Sequence, residues 1–349
     1  MRGTTKTMAV EAVTGFVGAI VAEVATNVAA HARPLAAYTA GWFVLTWVLE
    51  VVGPRVAPRL YGAINPDGKM SDRAVAKDMR TKLLCSGMAV WAVGCCIYGL
   101  LSPAGRAMWG HLYATNALTE HLVHFGASFF VWDIVICVLD GEAAAYHFHA
   151  WACFLTFAFA LVRCLVVLYS PFMRTRAKSS VTAPLPPNPL QHPFSHYMSL
   201  VVLLFEASTP FLHARKFMLQ ARLTDGAWAT PFMLVQVAFA GGFFLSRIMV
   251  GYTLVGLWAA DLWAGLQAGT LHNPAVARLY LAMAVALSSL NAFWFSQIAR
   301  AAMRRGSDGT RPPVNLADDL TAAIDGDADV ASPTAQPPAS GKAGKKKAA

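Results

Sequence analysis

Charge is what this sequence lacks. Of its 349 residues only 13% are Asp, Glu, Lys or Arg, against 56% hydrophobic, and mean hydropathy is +0.47. Soluble domains carry about 25% charged residues, so most of this chain cannot present a water-facing surface, and a soluble globule is excluded. Other absences narrow the chemistry. There is no Cys-x-x-Cys, and the six cysteines (Cys85, Cys95, Cys96, Cys137, Cys153, Cys164) all fall inside or at the edge of apolar runs, where a thiol packs as a small hydrophobe. No disulfide framework or zinc knuckle is implied. P-loop, G-x-G-x-x-G, G-x-S-x-G and H-E-x-x-H patterns are all missing, which leaves phosphate-cradling loops, hydrolase elbows and zincin helices without support. No cofactor is expected. Nor is there an inverted repeat or a pair of broken helices of the kind that transporters use, so a transporter is the weakest class.

What the chain has instead is long apolar runs. A hydrocarbon core of about 30 Å takes roughly 20 apolar residues as helix, because unpaired backbone groups are too costly there. Seven runs meet or approach that length, at 38–54, 83–101, 123–139, 149–170, 197–213, 231–252 and 276–299. An eighth, 9–30, is rich in Ala and Val but carries Glu11 and Glu23. It reads as a further span, with a cleaved signal peptide as the rival that its two acids oppose. The stretch 253–270 is apolar but broken by Asp261 and glycines, and reads as an interfacial or re-entrant piece. The expected fold is all-α, a polytopic transmembrane bundle of 7 to 8 spans. Its parts are an N-terminal segment 1–35, a membrane domain 36–305 and a disordered cytosolic tail 306–349.

Net charge is +9, and the tail is slightly acidic, so the basic excess belongs to the membrane body. Lys and Arg beside spans are what the positive-inside bias selects, which reads the charge as topology and not as a nucleic-acid surface. Residues 55–82 hold seven basic side chains, whereas 102–122 hold only Arg106. Placing 55–82 in the cytosol carries 140–148, 214–230 and the C-terminus there as well, with an eighth span adding Arg2 and Lys6. The loop 171–196, with Arg174, Arg176 and Lys178, falls on the other side and disagrees. Within it, 179–195 is Pro-rich and cannot be helical. The chain ends Lys346, Lys347, Ala348, Ala349. Lysines third and fourth from the end match the dilysine signal that coat proteins read on endoplasmic reticulum membrane proteins. A low-complexity Lys/Ala end is the alternative.

Ionisable residues inside apolar runs are functional candidates because each must meet a polar partner or a cavity. Here they are Glu50, Asp133, Arg163, Glu206 and Arg247. Glu206 and Arg247 sit in consecutive runs and read as an ion pair across them. Asp133 lies in an otherwise apolar run, about 10 Å deep, and His147 and His149 open the next run. An Asp that orients a His prepares a base or nucleophile, and equally satisfies a buried carboxylate. Glu120, His121 and His124 form E-H-x-x-H at a helix start, which an interfacial polar end explains better than a metal. No metal site is expected.

The segment LLFEASTPFLHARKFM (203–218) and the later GGFFLSRIMVGY (241–252) resemble the acidic, Ser/Thr, Pro-Phe, Arg and then Phe-Phe-x-x-Arg-Ile pattern of TLC-domain proteins. This is the family of translocating-chain-associating, longevity-assurance and ceroid-lipofuscinosis proteins. ASFFVWDIVICVL (127–139) resembles its Asp-bearing span, and YHFHAWACFLTF (146–157) the start of the following His-His span. The resemblance runs over roughly 36–300. It implies about six core helices around a lipid-accessible cavity, with membrane lipids as partners and Arg215 among its polar lining.

Two departures separate the chain from the ceramide synthase branch. That branch has adjacent histidines and a later Asp-x-Ser-Asp, but here the pair is split as His147-Phe148-His149 and no D-x-S-D occurs. Residues two apart on a helix point 200° apart, so one imidazole at most is placed as in that branch, and His149 is the one chosen. Two readings follow. The first is a lipid-binding TLC-domain protein of the endoplasmic reticulum, outside the synthase branch, that influences membrane lipid composition, sensing or trafficking. The alternative is an acyl-CoA-dependent acyltransferase in which His149, oriented by Asp133, acts on a long-chain amine.

Overall fold

The structure, a computed structural model, describes residues 2–161, 194–271 and 273–307. Arg163, Cys164, nearly all of the loop 171–196 and the lysines Lys346 and Lys347 lie outside the described residues. Among those described there is no strand. The helices are α1 (Arg2–Ala30), α2 (Ala32–Trp47), α3 (Gly53–Val56), α4 (Pro58–Ala63), α5 (Asp72–Leu101), α6 (Pro103–Arg106), α7 (Ala117–Asp140), α8 (Ala144–Ala160), α9 (His196–Leu204), α10 (Thr209–Gln220), α11 (Ala229–Phe243), α12 (Gly251–Ala268) and α13 (Pro274–Ser307).

Three junctions keep winding but change pitch. A π-turn at Val48–Val52 follows α2, a 3-10 turn at Phe205–Ser208 joins α9 to α10, and a π-turn at Phe244–Val250 joins α11 to α12. Each carries one ionisable residue: Glu50, Glu206 and Arg247 respectively. Such changes of pitch rotate the residues that follow, and they recur at functional sites.

Among the described residues, seven helical stretches are long and apolar enough to cross a membrane: Val13–Ala30, Ala32–Val56, Asp72–Leu101, Ala117–Asp140, His196–Gln220, Gly226–Ala268 and Pro274–Arg300. α8 has 17 described residues and is the first part of the run expected at 149–170. The chain is therefore an integral membrane protein built as a helical bundle.

One expectation is corrected. A re-entrant piece at 253–270 requires the chain to reverse, but Gly226–Ala268 is a single helical stretch of 43 residues. At 1.5 Å per residue it is about 65 Å long, more than twice the hydrocarbon thickness. Asp261 is exposed and does not interrupt it. The sequence signal of broken hydropathy reported a helix outrunning the bilayer, not a helix that turns back.

Long-range contacts fix which helix ends meet. Lys77 and Arg80, near the start of α5, reach Asp140 at the end of α7, and Arg80 also reaches Glu50 after α2. At the opposite end, His196 Nε2 lies 2.6 Å from the Ala160 carbonyl and Asn27 Nδ2 donates to the Ala158 carbonyl at 3.2 Å. Tyr280 Oη donates to the Thr156 carbonyl there at 2.7 Å. The helices alternate between these ends, so the start of α1 and the end of α13 lie at the Lys77 end. Arg55, Arg59, Arg73, Lys216, Arg222 and Arg300 collect there too.

Local signals hold the helices that form the site. Ser71 caps α5 by accepting from Ala74 N, and Asn116 with Thr119 makes a reciprocal capping box on α7. Gly141, at φ 70°, ends α7 in the left-handed conformation that favours glycine and turns the chain into α8. At Gly126 an added Cβ would lie 2.7 Å from the Phe157 ring, so glycine allows the close approach of α7 to α8. Polar links join α2 to α7: Trp42 Nε1 donates to Ser128 Oγ at 3.2 Å and Trp132 Nε1 to Thr46 Oγ1 at 2.7 Å. Inside hydrocarbon an indole N–H needs such a partner.

Candidate functional site

α5, α7, α8, α10, α11 and α13 surround a cavity of about 480 Å³, within the roughly 300–1,000 Å³ of small-molecule sites. Its wall is sorted by polarity. Phe129, Phe130, Trp132, Phe239, Phe243, Trp294 and Ile298 supply aromatic and aliphatic surface, whereas Lys77, Asp78, Lys82, Asp140, Glu142, His213 and Lys216 lie toward the Lys77 end. Between them sit Asp133, His149, Glu206, Ser208, Thr209 and Arg247.

Glu206 is the hub of the middle zone. Thr209 Oγ1 donates to its Oε2 at 2.6 Å, Arg247 Nη2 lies 3.6 Å from its Oε1, and His149 Nε2 lies 4.0 Å from the same oxygen. Arg247 is held from three further sides. Its Nε donates to the Phe205 carbonyl at 2.9 Å, its Nη1 to Asn291 Oδ1 at 3.3 Å, and its guanidinium lies 5.1 Å from the Phe243 ring centre. The π-turn delivers it there, and the 3-10 turn on the opposing helix delivers Glu206. His149 packs its ring 6.1 Å from those of Phe130 and Trp294, with Cys153 Sγ at 3.8 Å. An imidazole and a carboxylate at this spacing, with a guanidinium behind, can orient a polar head group or prepare the imidazole for proton transfer.

The structure thus brings Glu206, Arg247, His149 and Asp133 to one cavity, and Arg215 to its wall. It does not put Asp133 on His149. No hydrogen bond or ion pair joins them, and Asp133 makes no hydrogen bond among the described residues; the carboxylate nearest the imidazole is Glu206. His147 is partly exposed and off the cavity wall, as the 200° offset from His149 requires.

The Glu120, His121, His124 motif does not converge. His121 Nδ1 meets Tyr38 Oη at 2.8 Å, His124 Nε2 meets His31 Nδ1 at 2.7 Å, and Glu120 Oε1 accepts from Thr115 at 3.5 Å. Among the described residues no group of three or more His, Cys, Asp or Glu is placed to hold a metal ion.

Several site residues were missed in the sequence. Arg73, Lys77, Arg80 and Lys82 read as loop charges, yet they occupy the first turns of α5, where Arg80 is 2% exposed and Lys82 5%. Ser71 followed by Asp72 was the available signal for that earlier helix start. Asn291 and Trp294 gave no signal, since each looks like an ordinary member of an apolar run. Thr209, three residues after Glu206, was readable as a same-face partner.

No curated protein and no solved structure matches the chain. Residues 189–300, which supply Glu206, Arg215 and Arg247, match the family model of the TLC domain, so this part of the membrane-spanning chain is similar to that domain.

Proposed function

We propose that the protein holds a lipid in this cavity and thereby influences membrane lipid composition, sensing or trafficking, outside the ceramide synthase branch of the TLC family. The observation that carries the reading is the sorting of one intramembrane cavity into an aromatic part and a charged part, the pattern of an amphiphile. A bulky residue on the apolar wall tests it. Ile298→Trp fills space on the aromatic and aliphatic wall, and should abolish the lipid that copurifies with the wild-type protein; unchanged lipid occupancy overturns the reading.

The endoplasmic reticulum is the proposed location, with the Lys77 end and the C-terminus in the cytosol. The basic residues gathered at that end and the terminal Lys346 and Lys347 support it. Replacing both lysines by Ser should let the protein reach later compartments. Protease protection of a C-terminal tag in intact microsomes overturns the orientation.

A second reading, acyl transfer from acyl-CoA to a long-chain amine, is favoured by one observation, the approach of His149 to Glu206 inside the cavity. In that reading Glu206, and not Asp133, is the carboxylate beside the imidazole.

A further inference from the structure

We infer that the end of the bundle opposite Lys77 carries an acid-released latch, in which the imidazole of His31, at the corner between α1 and α2, clamps α1 to the bundle while neutral and lets it go when protonated. The inference stands independently of the lipid-holding reading. Three observations carry it.

The first is how little holds α1. Of its described side chains only Asn27 is buried, and Ile20, Val24 and Val28 are partly buried against the core. Three polar ties add to this. Asn27 Nδ2 donates to the Ala158 carbonyl at 3.2 Å, Asn273 Nδ2 lies 3.5 Å from Glu23 Oε2, and His31 Nδ1 lies 2.7 Å from His124 Nε2 on α7. Of the three, only the histidine tie changes its charge in the range of about pH 5 to 8.

The second is where the protons must sit. The Glu120 carbonyl can only accept, so His124 Nδ1, 2.7 Å away, carries a hydrogen. A neutral His124 therefore accepts at Nε2, and His31 Nδ1 donates to it. A cationic His124 would instead leave His31 Nε2 as an N–H with nothing to meet, so the neutral pair is the one this geometry favours. In that pair His31 Nε2 is a bare lone pair, buried and without a hydrogen-bond partner among the described residues. It is the one ring nitrogen of the two residues still open to a proton. A proton there creates a charged N–H with no acceptor in a residue only 4% exposed, which is costly until the ring reaches water.

The third is that the surroundings give a cation no relief. Burial, and then the charge of His124, lower His31 from 6.5 to about 4, and no carboxylate acts in the other direction. On α7, Glu120 and His121 act on His124, while the Glu120 carboxylate accepts from Thr115 and His121 meets Tyr38 of α2. His196 on α9 is a further imidazole within range of both rings. On α1, Glu23 faces Asn273, and Arg33 on α2 is exposed. His31 itself falls between the spanning stretches that end at Ala30 and begin at Ala32. Because its folded value is depressed, the clamp is fully present above about pH 6.5 and weakens as pH falls toward about 4. α1 packs on α8 and α13, so its release uncovers those two helices at the end that faces the lumen in the proposed orientation.

The test measures hydrogen exchange of the full chain in phosphatidylcholine nanodiscs at about pH 7.5 and about pH 5, on either side of the ordinary histidine value, with the intrinsic pH dependence of exchange divided out. Protection over residues 24–36 should fall about tenfold or more on acidification, since each pH unit below the ordinary value is worth up to about tenfold, while α7 and α9 keep theirs. His31→Asn retains an N–H toward His124 and cannot take a proton, so its protection at the corner should stay within about threefold between the two conditions. His196→Asn should still show the wild-type fall. The wild-type profile needs no substitution to fold, and protection at the corner that does not change with pH overturns the latch. So does a loss of protection spread evenly over α7 and α9, which is unfolding and not release. A fall that survives in His31→Asn, or disappears in His196→Asn, places the titrating group elsewhere and overturns His31 as the clamp.

Discussion

Two charged clusters share this bundle, each with one buried arginine and two carboxylates, and they are built oppositely. Around Arg80 every charge is answered at short range: Nη1 meets Glu50 at 2.6 Å, Nη2 meets Asp140, and Lys77 closes on Asp140 at 2.5 Å. Around Arg247 the spacing is loose, with Glu206 at 3.6 Å and His149 another 4.0 Å from the same oxygen, and Asp133 in the same cavity without a hydrogen bond. The residue types are alike, so type does not separate a fastening from a site. What separates them is how closely the opposite charges meet. The Arg80 cluster ties the end of α2 to α5 and α7 through short ion pairs. In the Arg247 cluster the guanidinium is held by Phe205 and Asn291, while Glu206, His149 and Asp133 face the cavity at longer spacing.

The largest effect expected from this contrast is at Arg80. Arg80→Leu strands Glu50 and leaves Asp140 with Lys77 alone, and breaking a buried pair from one side costs about 3–5 kcal/mol. Thermal unfolding in detergent should show a loss clearly larger than that of Arg247→Leu, because Glu206 keeps its 2.6 Å hydrogen bond from Thr209 when Arg247 goes. Equal losses for the two arginines break the comparison.

Next is the Glu206–Arg247 pair. Glu206→Arg and Arg247→Glu singly should each destabilise, and the exchange should restore much of the loss, with a coupling of about 0.5–3 kcal/mol for groups in contact. Restoration will be incomplete, since a glutamate at 247 cannot donate to the Phe205 carbonyl as the Arg247 Nε does at 2.9 Å. A cycle with no coupling removes the ion pair from the account.

Asp133 should behave in the reverse way. Asp133→Asn removes a charge that has no internal hydrogen bond to lose, so the ligand-free protein should gain about 1 kcal/mol, the scale of relieving an unmet polar group. A loss of several kcal/mol, read from the same melts, would place Asp133 with the fastenings and not with the site.

The sequence reading succeeded where a signal is local and failed where it depends on distant packing. Long apolar runs announced the bundle, because a bilayer imposes helix length directly. Glu206 and Arg247 could be paired because each was the conspicuous charge of its own run. The Arg80 cluster was invisible because its partners lie 30 and 60 residues away, and residues 72–82 read as a basic loop although they begin α5. The choice of Asp133 as the partner of His149 followed from nearness in the chain. The 3-10 turn at Phe205–Ser208 that carries Glu206 to the imidazole is a change of pitch that no periodicity in the sequence reports.

The smallest effect on stability, and the most decisive for function, is expected at His149. Its contacts are a thiol at 3.8 Å, a carboxylate at 4.0 Å and two aromatic rings at 6.1 Å, none of them a short hydrogen bond. His149→Ala therefore forfeits aromatic packing worth about 1 kcal/mol and leaves Glu206 with Thr209 and Arg247. The fold survives, so a change in behaviour reports on the imidazole itself. If the cavity holds a lipid, occupancy should persist in the variant, since the acyl chain lies along other residues and the head group meets other charges. If the protein transfers acyl groups, a neutral imidazole is needed as base or nucleophile, and the same variant should lose transfer while keeping its thermal stability. Incubation with radiolabelled acyl-CoA separates the two, because a covalent adduct on the wild-type protein that His149→Ala abolishes can arise only if the loosely held imidazole is chemistry and not lining.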